Sequence, residues 1–395
     1  MVVVAFATYA YPWKLDLLAG LRRCGADTTL LYFDDKTAYG IYEFMTEPQE
    51  AGTIRLPSMK LLAGTILPRP QALQTLLRLT KGRVFLDIDS HHDIVQICLS
   101  LLHKLLNSTI VRIVAENRAI RVKGNPCLLP LWAAKRMLTR LSLRFSDLVL
   151  AESRASADFA LRMGVQSRRI VQICHGVNLR YFAGEPADSQ GQSKLADAKL
   201  TVLYLGGFVA HKGVEYLVRA IETGQLSSLD FLLLAAGPEL PRYVPRLARL
   251  KSVKLVEPVP HYEMRELYSA AHIVIVPSIT TETDCERSPN VIIEAMAMGK
   301  AVVASSIGGI PDILGDAGMY IEQRNELEIV SALKHLDENR NELLELVRKG
   351  RQRASDMFDD QRYAETVFAL VSAFRENPRS SSSPRHQFGE DLRCA

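Results

Sequence analysis

The chain has 395 residues, 48% of them hydrophobic and 23% charged, with six cysteines and a formal charge of +4. That composition excludes a disordered chain, and the length exceeds one ordinary hydrophobic core, so two domains are expected. The charge is uneven: residues 1–180 carry a net +10 and residues 181–395 a net −6, so the first half suits an anionic surface or acceptor.

Apolar runs and helical periodicity alternate from the start. Strands are expected at 2–6, 28–33, 84–88, 109–115, 147–151 and 169–173. Helices are expected at 15–24, 71–79, 91–106, 131–145 and 153–163. Residues 34–70 mix turn residues with short apolar pieces and receive no assignment. Residues 181–199, with Gly184-Glu-Pro-Ala-Asp-Ser-Gln-Gly-Gln-Ser-Lys194, bury little and are expected to link two domains. Alternation restarts at Leu200, with strands at 201–205, 230–235, 253–256, 273–276 and 301–304. Helices fall at 213–222, 240–250, 262–270, about 288–299 and from Asn325. A last amphipathic helix covers 361–374, and 377–395 is expected to be a disordered tail. The chain therefore divides into 1–180, the linker 181–199 and 200–360. Strand–helix alternation in each half predicts α/β architecture, two doubly wound parallel sheets.

No apolar run reaches the ~18 residues of a membrane span. The apolar residues 1–10 lack a preceding basic segment, and the cysteines show neither disulfide nor metal-ligand spacing. A reducing, cytoplasmic setting is the expectation.

The chemistry concentrates in Glu286-Arg-Ser-Pro-Asn-Val-Ile-Ile-Glu294. A buried strand runs into a polar loop, then into a helix opening near Ser288 and Pro289. In a parallel sheet such a helix aims its N-terminus at the ligand-binding edge, where free N–H groups and the helix dipole favour anions. Two carboxylates there do not hold phosphate; they suit accepting hydrogen bonds from sugar hydroxyls on the same ligand. After the strand at 201–205, Gly206 and Gly207 permit close backbone approach. Lys212, at the next helix start, offers a point charge for a diphosphate.

Residues 277–312 resemble the nucleotide-sugar site of retaining glycosyltransferases of family 4. The matching text is Glu286/Glu294 for that family's Glu-x7-Glu, Ala295-Met-Ala297, Ala301-Val-Val303 and Gly308-Gly-Ile-Pro-Asp312. Asp147-Leu-Val-Leu-Ala-Glu-Ser153, Gly164-Val165 and His175-Gly-Val-Asn178 extend the likeness. The resemblance implies the GT-B fold, two Rossmann-like domains facing a central cleft, with the last helix (361–376) packing back on the N-terminal domain. It implies transfer of a hexose from a UDP-, GDP- or ADP-sugar to an acceptor hydroxyl, with retention and without metal or cofactor. Saccharide, lipid-linked and small-molecule acceptors all stay open.

By the same resemblance, Lys212 with Ser288, Pro289, Asn290 and Val291 holds the diphosphate, Glu286 the transferred sugar and Glu294 the ribose. Gly206, Gly207 and Gly237 line the donor pocket, and Pro258 and Val259 hold the base through backbone groups. Gly207 stands where the family carries an arginine, and the paired glycines usual after the first strand are absent. His91 follows the strand at 84–88 and is a candidate catalytic residue. Between Arg112 and Arg144 lie eight basic residues and one acid, interleaved with Leu128-Leu-Pro-Leu-Trp132. That pattern suits either a solvated basic face or an anionic lipid surface; it lacks the stacking aromatics of a nucleic-acid site. Two alternatives keep the fold: a non-catalytic nucleotide-sugar binding protein, or an epimerase or phosphorylase.

Overall fold

The computed structural model describes residues 1–7, 12–33, 52–56, 58–60, 66–88, 108–115, 129–182, 199–282 and 284–376. Among them, residues up to Gly176 and from Asp360 onward form one compact unit, and those from Val177 to Asp359 form the second.

Unit 1 contains β1 (Val2–Ala7), β2 (Asp27–Phe33), β3 (Thr53–Leu56), β4 (Ser58–Lys60), β5 (Ile66–Pro68), β6 (Val84–Ile88), β7 (Thr109–Val114), β8 (Leu148–Ala151) and β9 (Ile170–Gln172). Seven of these make a sheet in the order β3-β2-β1-β6-β7-β8-β9, while β4 and β5 form an antiparallel ribbon. Every pairing in the seven-stranded sheet is parallel. All five residues of β6 and all four of β8 are buried, as expected for strands covered on both faces. The helix Pro12–Arg23 puts Leu17, Leu18 and Leu21 into one core with Ala364, Val367, Leu370 and Val371 of the C-terminal helix Asp360–Glu376. Inside this unit a buried ion pair, Arg112 Nε to Asp87 at 2.9 Å, ties β7 to β6, and Arg112 also donates to Ser142 Oγ at 2.6 Å.

Three expectations change. Residues 34–70, unassigned from sequence, contain β3 and the β4–β5 ribbon, strands too short for periodicity to register. The expected linker starts too early: Leu179–Phe182 is a helical turn, and Phe182, 1% exposed, belongs to the second unit. Cys24 and Cys285 are free thiols, whereas Cys174 is disulfide-bonded, which the cysteine spacing does not suggest. The expected helix at 91–106, with His91, lies outside the described residues, as do 183–198 and 377–395.

Unit 2 contains β10 (Thr201–Tyr204), β11 (Asp230–Leu234), β12 (Val253–Val256), β13 (Ile273–Val276), β14 (Ala301–Ser305) and β15 (Met319–Ile321). They form one parallel sheet in the order β12-β11-β10-β13-β14-β15. From β10 the chain builds outward to one edge, and from β13 to the other. The adjacent C-terminal ends of β10 and β13 are thus a topological switch point, the place where open α/β sheets bind ligands. The sequence reading misses β15 and the long helix Arg340–Met357. That helix buries Leu343, Leu346, Gly350 and Ala354, two of them too small to register as an apolar stripe. The described structure thus comprises two parallel α/β sheets, each with helices packed against it.

Candidate functional site

The site is built from the loops leaving β10 and β13. After β10, Gly206 and Gly207 lead to the single turn Ala210–Lys212 and then to Gly213. Gly213 has φ +68°, and a Cβ there would lie 1.8 Å from the Pro277 carbonyl oxygen, so only glycine lets the loops touch. The contact is completed by the Ile279 N–H, which donates to the His211 carbonyl at 2.8 Å. Tyr204, buried at the end of β10, donates its hydroxyl to the Gly207 carbonyl at 3.0 Å. Burial first, then the nearby Glu286 charge, push its phenol well above the ordinary value, so it remains a donor.

Because these loops are joined, Lys212 reaches Glu286 across 74 residues of sequence, with Nζ 2.9 Å from each carboxylate oxygen. Ser278, immediately after β13 and its following proline, donates to Glu286 Oε2 at 2.6 Å. Glu286 is 6% exposed and Lys212 29%. Burial alone would raise the Glu286 pKa, but the Lys212 charge and the bonds from Ser278 and Lys212 outweigh it and lower it below 4.5. A third loop packs on the backbone at Glu286: Gly308, φ +58°, lies against the Glu286 backbone carbonyl, and a Cβ there would sit 1.8 Å from its oxygen. Beside Lys212, His211 lies 3.7 Å from Asp284. Burial, then the Lys212 charge, depress the His211 pKa, which favours its neutral form.

The helix Asn290–Ala297 starts two residues after the expected 288, with Pro289 in extended backbone at its N-cap and no side chain capping it. Ser288, Pro289, Asn290 and Val291 surround that N-terminus. Glu294 is 3% exposed. Its Oε2 accepts from the Tyr268 hydroxyl at 2.6 Å, and its Oε1 lies 3.1 Å from His261 Nε2. Pro258 and Val259 are half-buried in the loop after β12, and Gly237, after β11, lies against the backbone of Phe208.

The residues singled out from sequence in unit 2 therefore fall on the C-terminal side of one sheet. One relation differs from expectation. Lys212 and Glu286, assigned separately to diphosphate and sugar, bond to each other. Sequence reasoning misses Tyr204, Ser278, His261 and Tyr268; His261 and Tyr268 reach Glu294 from 33 and 26 residues away. Among the described residues no three of His, Cys, Asp and Glu gather as a metal-binding group.

Residues 199–339 match the family model described as Glycosyl transferases group 1. The matched stretch lies within unit 2. Among curated proteins, the chain is 26% identical over 262 residues to alpha-maltose-1-phosphate synthase of Mycolicibacterium smegmatis, covering 59% of this chain and 66% of that one. The chain thus spans less than two thirds of that relative's length, and 57% of D-inositol 3-phosphate glycosyltransferase 1 from Catenulispora acidiphila, to which it is 25% identical over 248 residues, 58% of this chain. Among solved structures, sucrose-phosphate synthase from Thermosynechococcus elongatus superposes with TM-score 0.70 at 20% identity, covering 95% of this chain and 99% of that one. Anabaena HepE in complex with UDP superposes with TM-score 0.72 at 16% identity, covering 94% and 99%. These likenesses show the fold, GT-B, with two α/β units.

Within unit 2, the Lys212–Glu286 pair makes a stability prediction. Lys212→Met leaves a buried carboxylate without its charge partner, a loss of roughly 1–3 kcal/mol. The melting temperature should fall by several degrees at pH 7, and adding Glu286→Gln should recover most of it. The sign with pH follows from the lowered Glu286 pKa: the stabilisation is full above 4.5 and disappears as pH falls through the folded value. The difference in melting temperature between wild type and Lys212→Met should therefore shrink on acidification. A difference that stays constant from pH 7 to pH 3 refutes the pair's role.

Proposed function

We propose that the protein moves a hexose from a nucleoside-diphosphate sugar to an acceptor hydroxyl, with retention of configuration, in glycan, polysaccharide or glycolipid synthesis. The observation that carries this reading is the convergence of Lys212, Glu286, Ser278 and an uncapped helix N-terminus at the switch point of a glycosyl transferases group 1 domain.

The physical division of labour is as follows. An ammonium has three donors, and Lys212 uses its protons on Glu286 while keeping partial exposure, so an incoming diphosphate can share it. The Lys212–Glu286 pair is close to neutral. Stabilisation of the departing diphosphate therefore leans on backbone N–H groups and the helix dipole at Ser288–Val291, preorganised electrostatics of the kind that lowers transition-state energy. Glu286 accepts from hydroxyls of the transferred sugar, and Glu294 accepts from the ribose. Pro258 and Val259 meet the base, and Gly206, Gly207 and Gly237 give the donor close backbone approach. No protein nucleophile is required, and unit 1 takes the acceptor.

Uridine is the first base to test, because a structural neighbour, HepE, is solved with UDP and with UDP-glucose. Binding of UDP-, GDP- and ADP-sugars by calorimetry, followed by transfer assays with saccharide, small-molecule and lipid-linked acceptors, tests the whole reading. Product carrying the donor's anomeric configuration is expected. Inverted product refutes retention, binding without turnover favours the non-catalytic alternative, and no binding to any donor refutes the proposal.

The acceptor side carries a further expectation, an anionic membrane surface. In the helix Leu129–Phe145 the side chains of Arg136, Arg140, Arg144, Met137 and Phe145 are exposed, the last two at 58% and 44%. No helix among the described residues is long and apolar enough to cross a membrane.

A further inference from the structure

Glu294 lies deep in its helix and is not held by that helix alone. Its two oxygens are each engaged once, by Tyr268 and by His261. A carboxylate offers about four lone-pair sites, so two remain. Burial first, and Glu294 second, raise the Tyr268 phenol well above its ordinary value, so it stays protonated and donates. An ionised carboxylate only accepts, which puts the proton on Nε2 of His261. The directions left open on the carboxylate are therefore fixed by where these two donors stand.

What fixes the donors is Phe182. Its ring meets His261 edge-on, centroids 5.5 Å apart at 74°, and meets Tyr268 in the same way at 6.0 Å and 88°. Phe182 is 1% exposed and is itself anchored locally. Its N–H donates to the Asn178 carbonyl at 3.0 Å, and the Val177 N–H donates to the Phe358 carbonyl at 2.9 Å. Edge-to-face rings add directional preference beyond area burial, so one side chain sets the orientation of two others. Phe182 is 112 positions before Glu294 in the chain and stands at the point where the chain enters unit 2.

We propose that Phe182, His261 and Tyr268 are positioning residues that aim the two remaining acceptor directions of Glu294 at the vicinal diol of a ribonucleoside diphosphate, making the entry segment of unit 2 part of the donor site. This rests on the reading of Glu294 as the ribose carboxylate. A vicinal diol presents two O–H donors side by side and matches a carboxylate with one open direction on each oxygen. A 2′-deoxyribose presents one, so discrimination between the two sugars reports on carboxylate orientation and not on folding in general.

The test is calorimetric binding of UDP, 2′-deoxy-UDP and inorganic pyrophosphate to the full chain, with GDP and its deoxy form used if that base binds more tightly. Wild type is expected to prefer the ribonucleotide at least tenfold. Tyr268→Phe, His261→Leu and Phe182→Ala should each reduce that preference at least threefold while leaving pyrophosphate affinity unchanged. His261→Gln, which keeps an N–H at similar reach, should retain most of it. A purely structural role would lower affinity for all three ligands together. If Phe182→Ala does not fold, Phe182→Leu keeps the apolar volume while removing the ring edges and serves in its place. A preference unchanged in the Phe182, His261 and Tyr268 variants but abolished by Glu294→Gln overturns this inference alone. A preference that Glu294→Gln also leaves intact, or that wild type lacks, overturns the ribose reading beneath it.

Discussion

Glu294→Gln is expected to weaken UDP binding by about ten- to 150-fold, the factor that corresponds to losing hydrogen bonds to a charged group, about 1.5–3 kcal/mol. The glutamine keeps the shape of the side chain and one acceptor oxygen. Either Tyr268 or His261 therefore keeps a partner, and the melting temperature should move little. The amide nitrogen, however, turns one of the two acceptor positions into a donor, which meets a ribose hydroxyl poorly. Pyrophosphate, which has no ribose, should bind as it does to wild type. Calorimetry on both ligands decides the matter. Equal affinity of wild type and variant for UDP removes Glu294 from ribose recognition, and equal losses for both ligands assign the effect to the fold.

Glu294 also marks the boundary of what the sequence makes legible. The two glutamates are recognisable because they share one short stretch after an apolar strand, Glu286 in the loop and Glu294 in the helix that follows. The strands β6, β8, β13 and β14 are legible for a related reason. Sheets covered on both faces demand unbroken apolar runs, and these strands are buried at every position. The partners of the glutamates are not legible, since Lys212 lies 74 residues from Glu286, and His261 and Tyr268 lie 33 and 26 from Glu294. No period connects such positions; only the closure of the sheet brings their loops together. Phe182 is hidden differently. It precedes a Gly- and Ser-rich stretch whose composition reads as linker, and one helical turn is too short to oppose that reading. Helix Arg340–Met357 escapes because its buried face contains Gly350 and Ala354. There close approach substitutes for apolar bulk, with a Cβ on Gly350 only 3.2 Å from Met296.

The second large effect expected is at a membrane surface. The helix Leu129–Phe145 belongs to the half of the chain with net charge +10, and among its exposed residues 133, 136, 137, 140 and 144 have the spacing of one helical face, with 134 and 145 exposed beside it. Arg136 and Arg140 flank Met137, which places an apolar side chain between two cations, and Phe145 adds a second exposed apolar side chain. Each cation near an anionic leaflet contributes about 1 kcal/mol, so even two or three give measurable, reversible attachment. Co-sedimentation with vesicles rich in phosphatidylserine is expected at 0.1 M salt and not with phosphatidylcholine alone, in the sense of a test at about one Debye length of 10 Å. At about 1 M salt, where that length falls to ~3 Å, attachment should largely be lost. The arginines are not equivalent as probes. The Arg144 side chain lies along Gly164, where a Cβ would meet its Cδ at 3.3 Å, so replacing it disturbs packing as well as charge. Arg136→Glu/Arg140→Glu is the cleaner variant and should release the protein from vesicles while leaving UDP affinity unchanged. Met137→Ser should weaken attachment without altering its salt dependence, because it removes insertion and keeps the charges. Attachment that survives the double arginine reversal, or wild type that fails to sediment at low salt, rules out this face as the membrane contact. In the second case a soluble saccharide or small molecule becomes the acceptor class to pursue.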